Sequence, residues 1–236
     1  MTLKAARVLR ECDVVLYDRL VSPEILKLAR SDAEIIYVGK HEGEQDDAQK
    51  QIFSLIRHHA LAGKTVGRLK GGDPLIFGRG AEEWAFALKH GIEVQLIPGV
   101  SSAIAVPGLA GIPLTFRRIS QSFAVATGHC HEGLGHAWER YAAVDTLVVL
   151  MGVKNRAFIA QSLIAGGRSP DEPVAFIYRG STPEQQVTLS TLLAVAEGRV
   201  EAKNPAVLVI GKVVQLREAL LALIEFPELP ESADLR

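Results

Sequence analysis

Lys70-Gly71-Gly72-Asp73-Pro74-Leu75-Ile76-Phe77-Gly78-Arg79-Gly80 decides how the rest of this chain is read. Four glycines in eleven residues would weaken any helix or strand, because each surrenders extra backbone entropy on folding. They suit a place where backbone must turn sharply or lie against a ligand. Thr65 to Leu69, just upstream, reads as a strand, and Glu82 to His90, just downstream, reads as a helix. The run therefore falls at the carboxyl end of a strand, where open α/β sheets bind ligands. A plain Gly-Asp-Pro turn needs neither the embedded Ile76-Phe77 nor the trailing Gly78-Arg79-Gly80.

Working outward, the same alternation repeats. Thr2 to Glu11 reads as a helix, Val14 to Tyr17 as a buried strand, and Pro23 to Ala29 as a helix opened by proline. Glu34 to Val38, Thr65 to Leu69 and Glu93 to Ile97 read as further strands, with a helix from about Ala48 to Leu61. Strands alternating with helices predict an α/β fold with a mostly parallel sheet. All parallel strands end on one edge, so Asp18, Lys40, Gly71 to Asp73 and Pro98 to Ser102 are expected along one rim. Ser101 to Gly111 reads as a helix of small residues packed closely on something. The boundary of a first domain is expected near Thr115 to Gln121, giving domains 1–116 and 117–225 and a loose tail, 226–236. In the second domain Phe123 to Thr127, Thr146 to Met151, Val174 to Tyr178, Gln186 to Leu189 and Ala206 to Ile210 read as strands, and Asn155 to Ala165 as a helix.

Composition bounds the function. The 236 residues carry a net charge of -1, which argues against a chain that mainly binds nucleic acid or acidic membrane. Any anionic ligand must be met by locally clustered cations. Two cysteines, Cys12 and Cys130, suggest a reducing compartment rather than a disulfide framework. No apolar run approaches the roughly 20 residues needed to cross a bilayer, and the first residues lack a signal-peptide layout. A cytoplasmic protein is expected. The Gly71 run has neither dinucleotide-binding nor P-loop spacing, and no metal site is expected.

Several segments, taken in order, are more specific. Val14 to Ser22 (VVLYDRLVS), Tyr37-Val38-Gly39-Lys40, the glycine-rich run, and Pro98-Gly99-Val100-Ser101-Ser102-Ala103 come first. Gly111-Ile112-Pro113-Leu114-Thr115, Val125-Ala126-Thr127-Gly128-His129, Met151-Gly152 and Arg179-Gly180-Ser181-Thr182-Pro183 follow. Together they resemble the tetrapyrrole methylase family, in its uroporphyrinogen-III C-methyltransferase branch, from Thr2 to about Val214. The resemblance implies two α/β domains, the first mostly parallel and the second with a mixed sheet, in a homodimer. It implies S-adenosylmethionine bound between the domains and two methyl transfers to pyrrole carbons of uroporphyrinogen III. The product, precorrin-2, leads to siroheme, haem d1 or cobalamin. It further implies a proton acceptor at Asp18 and a proton donor at Lys40. Cofactor contacts carry over to Gly71, Gly72, Asp73, Ile76, Ser101, Ser102, Met151 and Gly180.

Read without the resemblance, Asp18 is an acid at a helix start, Lys40 a solvated loop base, and Ile76 and Met151 ordinary core. The polycarboxylate substrate needs cations, and arginine forks suit carboxylates. Arg79, Arg117 and Arg118 are the candidates, with Glu82 beside Arg79 and with Arg19 and His129 behind them. Arg79 and Glu82 are equally placed to pair with each other.

Two departures stand out. The family opens with a strand and a glycine-proline loop just before a segment like Thr2-Leu3-Lys4-Ala5. The chain as written is expected to lack both, foremost through a start codon placed too far downstream, with a fragment or a degenerate protein as the alternatives. His41 to Asp47 carries four acids where the family often has bases. The competing expectations are a tetrapyrrole methylase of the cobalamin branch and a non-catalytic binding remnant.

Overall fold

Val14-Val15-Leu16 lose all exposure to solvent, and an apolar run led by β-branched valines, without glycine or proline, favours a central strand. The computed structural model, which describes residues 1–39, 45–129 and 137–225, places them so. After helix α1 (Leu3–Leu9), strand β1 (Val14–Tyr17) lies between β2 (Glu34–Tyr37) and β3 (Val66–Leu69), parallel to both. Tyr17 is opposite Tyr37 on one side and Leu69 on the other. Side chains alternate across a strand. Val14 and Leu16 accordingly pack with Val38, Ile52 and Ile56, whereas Val15 packs with Leu9 and Cys12 on the other face.

Helices α2 (Pro23–Leu26), α3 (Gln45–Leu61) and α4 (Gly80–Lys89) complete this first unit, Met1–Ser101. The starts of α1 and α2 are chemically marked. The Thr2 hydroxyl accepts from the Ala5 amide and Ser22 from Glu24, each satisfying a donor that a helix start leaves unpaired. Phe53 of α3 stacks on Phe86 of α4, with ring centroids 4.4 Å apart.

The second unit, Ser102–Arg236, holds a five-stranded sheet in the order β4-β5-β8-β6-β7. Its strands are β4 (Phe123–Thr127), β5 (Thr146–Leu150), β6 (Pro173–Tyr178), β7 (Gln186–Thr191) and β8 (Ala206–Ile210). Only β4 and β5 are parallel; the other pairings are antiparallel. Leu147, Val149, Val174, Phe176, Leu208 and Ile210 face helices α6 (Arg156–Ala165) and α7 (Leu192–Ala196). Val148, Ala175, Ile177, Val207 and Val209 face α5 (Ser102–Leu109) and the start of α8 (Leu216–Glu225). Both faces are covered, so these strands are apolar throughout, each fully buried Val, Leu or Ile contributing about 1.5–3 kcal/mol.

The expected α/β class, a parallel first sheet and a mixed second one, is what the fold shows. Three differences matter. Glu93 to Ile97 forms no strand: among the described residues no neighbour pairs with it, and alternation alone does not make a ladder. The sequence boundary at Thr115 to Gln121 leaves α5 with the first domain, but α5 packs on β5 and β8 and so clusters with the second. Helices α7 and α8 went unread. Lys40, most of the acidic loop, Cys130 and the tail lie outside the described residues.

Asp145 ties the starts of β4 and β5 together, its Oδ2 accepting from the Gln121 amide at 2.9 Å and from the Ser122 amide and hydroxyl at 3.0 Å each. Those donors hold its carboxyl below the ordinary aspartate value of 3.8. A depressed carboxylate stabilises the fold above its unfolded value and loses that contribution as pH falls through the folded one. Asp145→Ala should therefore melt below the wild type at neutral pH, the gap closing as pH falls below 3.8. In hydrogen exchange, amides of Glu93 to Ile97 should exchange far faster than those of β1.

Candidate functional site

Parallel pairing sends Asp18, Val38 and Lys70 off the same edge of the first sheet. Beyond Lys70 the glycine-rich run turns back to start α4. Gly72 has φ 75°, a conformation glycine adopts without the clash a Cβ brings. A Cβ on Gly99 would lie 2.0 Å from the Gly72 carbonyl oxygen, so two loops of this rim meet backbone to backbone. Asp73 fastens them: Oδ2 accepts from the Gly99 amide at 3.0 Å and Oδ1 from Leu75 at 2.9 Å. Ser101, two residues further on, is buried.

Behind the rim is a buried cluster of charge. Arg68 of β3 donates from Nη2 to Asp18 Oδ1 at 2.8 Å and from Nε to Glu83 Oε1 at 3.3 Å. Its Nη1 reaches the carbonyls of Leu16 and Leu69. Lys70 Nζ lies 3.2 Å from Glu83 Oε1 and 3.9 Å from Asp18 Oδ2. Gln49 of α3 donates to Glu83 at 3.2 Å. Burial, then the neighbouring Arg68 guanidinium, holds the Lys70 ammonium below the usual lysine value, against the pull of Glu83 and Asp18. Glu83 stands in the first turn of α4, where the helix dipole favours an anion.

A second feature marks segments in each of the two units. Among the described residues, those other than glycine with positive φ are Phe77, Arg79, Arg118, Met151, Arg179 and Ser181. Each either is a site residue expected from sequence or adjoins one. Such conformations cost on the order of 1–3 kcal/mol each and gather at ligand sites. Ile76, Phe77 and Met151 also keep 44%, 44% and 49% of their surface exposed, which core side chains do not.

In the second unit Met151 follows β5 and Gly180 follows β6. A Cβ on Gly128 would sit 2.3 Å from Gly152 Cα, so the turns after β4 and β5 touch through backbone. A Cβ on Gly180 would sit 2.3 Å from Val106 Cγ1. That contact is the close packing expected of the small-residue helix, now α5, which Ser102 opens.

The structure thus brings Asp18, Gly71, Gly72 and Asp73 to one edge of the first unit, and Met151, Ser102 and Gly180 belong to the second. Lys40 lies outside the described residues. Asp73 has both carboxylate oxygens engaged by backbone amides. Arg79 and Glu82 pair with each other at 2.6 Å, the alternative their spacing left open. Arg117 and Arg118 stand exposed in a turn closed by a Phe116–Ser120 bridge, and Arg19 and His129 are exposed. Arg68, Lys70 and Glu83 were missed. The available signal was Arg68-x-Lys70, two cations on one face at the end of an apolar strand. Among the described residues, no three His, Cys, Asp or Glu are grouped to hold a metal ion, and no helix is long and apolar enough to cross a membrane.

Comparison with known proteins gives this arrangement its relatives. The profile of Tetrapyrrole (Corrin/Porphyrin) Methylases matches residues 1–196. Siroheme synthase 2 of Aeromonas hydrophila is 45% identical over 222 residues, 93% of this chain and 47% of that protein. The chain thus spans about half the length of that relative. The uroporphyrin-III C-methyl transferase of Thermus thermophilus, solved with S-adenyl homocysteine, superposes with a TM-score of 0.80 at 44% identity, covering 92% of this chain and 93% of that one. The cobalt precorrin-4 methyltransferase CbiF has a TM-score of 0.76 at 20% identity over 91% of this chain and 90% of its own, a likeness of fold. The chain belongs to the tetrapyrrole methylase family.

The glycine contact behind Met151 is directly testable. Gly128→Ala must push the β4 and β5 turns apart, and overpacking of that kind costs about 1–3 kcal/mol. The denaturation midpoint should fall with an unchanged slope.

Proposed function

We propose that this chain is an S-adenosylmethionine-dependent C-methyltransferase that converts uroporphyrinogen III to precorrin-2. The observation that carries the reading is the 44% identity, over nine-tenths of both chains, to a uroporphyrin-III C-methyl transferase solved with the demethylated form of that cofactor. The strained backbone at Met151, at Arg79 and around Gly180 supports it independently.

The residues suit the cofactor. Gly71 and Gly72 are exposed and lack side chains, so backbone groups can approach adenosine or methionine atoms. Ile76 and Met151 offer nearly half-exposed apolar surface for the uncharged parts of the molecule. Asp73 contributes by fastening the two loops, its side chain being committed to them. When bound, the cofactor supplies an electrophilic methyl group on a sulfonium.

The chain's own residues then have two tasks. One is positioning, which dominates an in-line transfer: the pyrrole carbon forms its bond to the methyl as the carbon–sulfur bond breaks toward sulfur. The other is proton transfer. The methylated ring is cationic and sheds a proton from a neighbouring bridge carbon, which Asp18 accepts, with Lys40 as donor elsewhere in the cycle. Arg117 and Arg118 pair with substrate carboxylates. Arg79 does so while Glu82 holds its guanidinium.

A cobalamin-branch methylase is the second reading, favoured by the fold likeness to CbiF; its 20% identity ranks it behind. Incubation with labelled cofactor and either uroporphyrinogen III or a later corrin precursor separates the two. Label in precorrin-2 is expected; label only in the later precursor sinks the first reading. Gly72→Val, at φ 75°, should weaken cofactor binding more than about tenfold, near 1.4 kcal/mol, by calorimetry on the folded variant. Asp18→Asn and Lys40→Met should lower turnover at nearly unchanged cofactor affinity.

A further inference from the structure

The Asp18 carboxylate is held, and what holds it is built into the sheet. It retains 27% of its side-chain surface, whereas Arg68, Lys70 and Glu83 retain 12%, 8% and 6%. One edge of Asp18 is therefore open and the other rests on buried charge. Arg68 is fixed from four sides: the Leu16 carbonyl of β1, the Leu69 carbonyl of β3, Glu83 of α4 and Asp18 itself. A planar fork can serve four partners at once; a lysine head, with one nitrogen, cannot.

Charge accounting gives the cluster its sense. Arg68 and Lys70 carry two positive charges and Glu83 one negative charge that both share. The remaining positive charge is balanced by Asp18, through one contact at 2.8 Å and another at 3.9 Å. Buried ions are stable only when paired and hydrogen-bonded, so the cluster orients the Asp18 carboxylate. Gln49 of α3 supports Glu83; Lys40, beyond the end of β2, lies outside the described residues. We propose that Arg68 and Lys70 are positioning residues for Asp18, with Glu83 as their shared counter-anion. This rests on the reading of Asp18 as proton acceptor.

The test pairs turnover with a readout that needs none. Arg68→Gln should lower kcat by at least about tenfold while KM and cofactor affinity move less than about twofold, and Arg68→Lys should recover part of the loss. In an Asp18→Asn background, Arg68→Gln should cost less than about twofold more, because it acts through the group already removed. Separately, NMR of labelled lysine follows the Lys70 ammonium. Asp18→Asn removes an anion and should lower its titration, whereas Arg68→Gln removes a cation and should raise it. If Arg68→Gln does not fold, Glu83→Gln takes its place, with slower turnover and a lowered Lys70 titration expected. Full additivity in the double variant would overturn the proposal, as would a Lys70 titration indifferent to Asp18. A chain with coupled titrations but no methyl transfer would leave the clamp standing and overturn the reading of its activity.

Discussion

β1 is hydrogen-bonded to a parallel neighbour on each side, and parallel pairing leaves the directions of those strands no freedom. Asp18 and Lys70, fifty-two positions apart, must leave the sheet at the same edge. Arg68 is opposite Leu16, two residues short of Asp18, which is within reach of a guanidinium on the next strand. The turn after β3 reverses the chain and delivers Glu83 to the same place in the first turn of α4. Everything proposed for proton transfer follows from that pairing.

Proximity of this kind has an electrostatic consequence. Four ionisable side chains lie largely out of water at the end of an apolar sheet, an arrangement stable only because they neutralise one another and use backbone carbonyls for the remaining donors. The polar cluster enters the sheet only through Arg68 of β3 and otherwise lies beyond the strand ends. Inside the sheet, Val14, Val15 and Leu16 carry no polar side-chain atom. A hydrophobic strand ending in a charged rim separates the part that stabilises from the part proposed to react.

In the second unit the candidate site segments carry backbone strain. Met151, Arg179 and Ser181 hold left-handed conformations at the ends of strands whose interiors are buried on both faces. The strain persists because the five-stranded sheet, covered by α5 and α8 on one side and α6 and α7 on the other, over-determines where those ends lie. Gly128 beside Gly152, and Gly180 beside Val106, bring the turns in closer than any side chain would allow.

What the sequence determined alone was local. Short apolar runs bounded by turn residues located β1 to β8 almost to the residue, because strands buried on both faces read as continuous hydrophobic segments. Glycine clusters marked the turn after β3, and the proline-led and small-residue helices showed themselves by composition. Tertiary structure decided the rest. Glu93 to Ile97 has a strand's pattern but no partner, and a strand is a property of two segments. Arg79 met Glu82, and Asp73 met Gly99 and Leu75, although each was also fit for a ligand. Arg68, Lys70 and Glu83 drew no notice as single charged residues; only parallel pairing, and a helix returning across the strand ends, brings them to Asp18. Periodicity is written along the chain, whereas the partner of a charge depends on which elements the fold sets side by side.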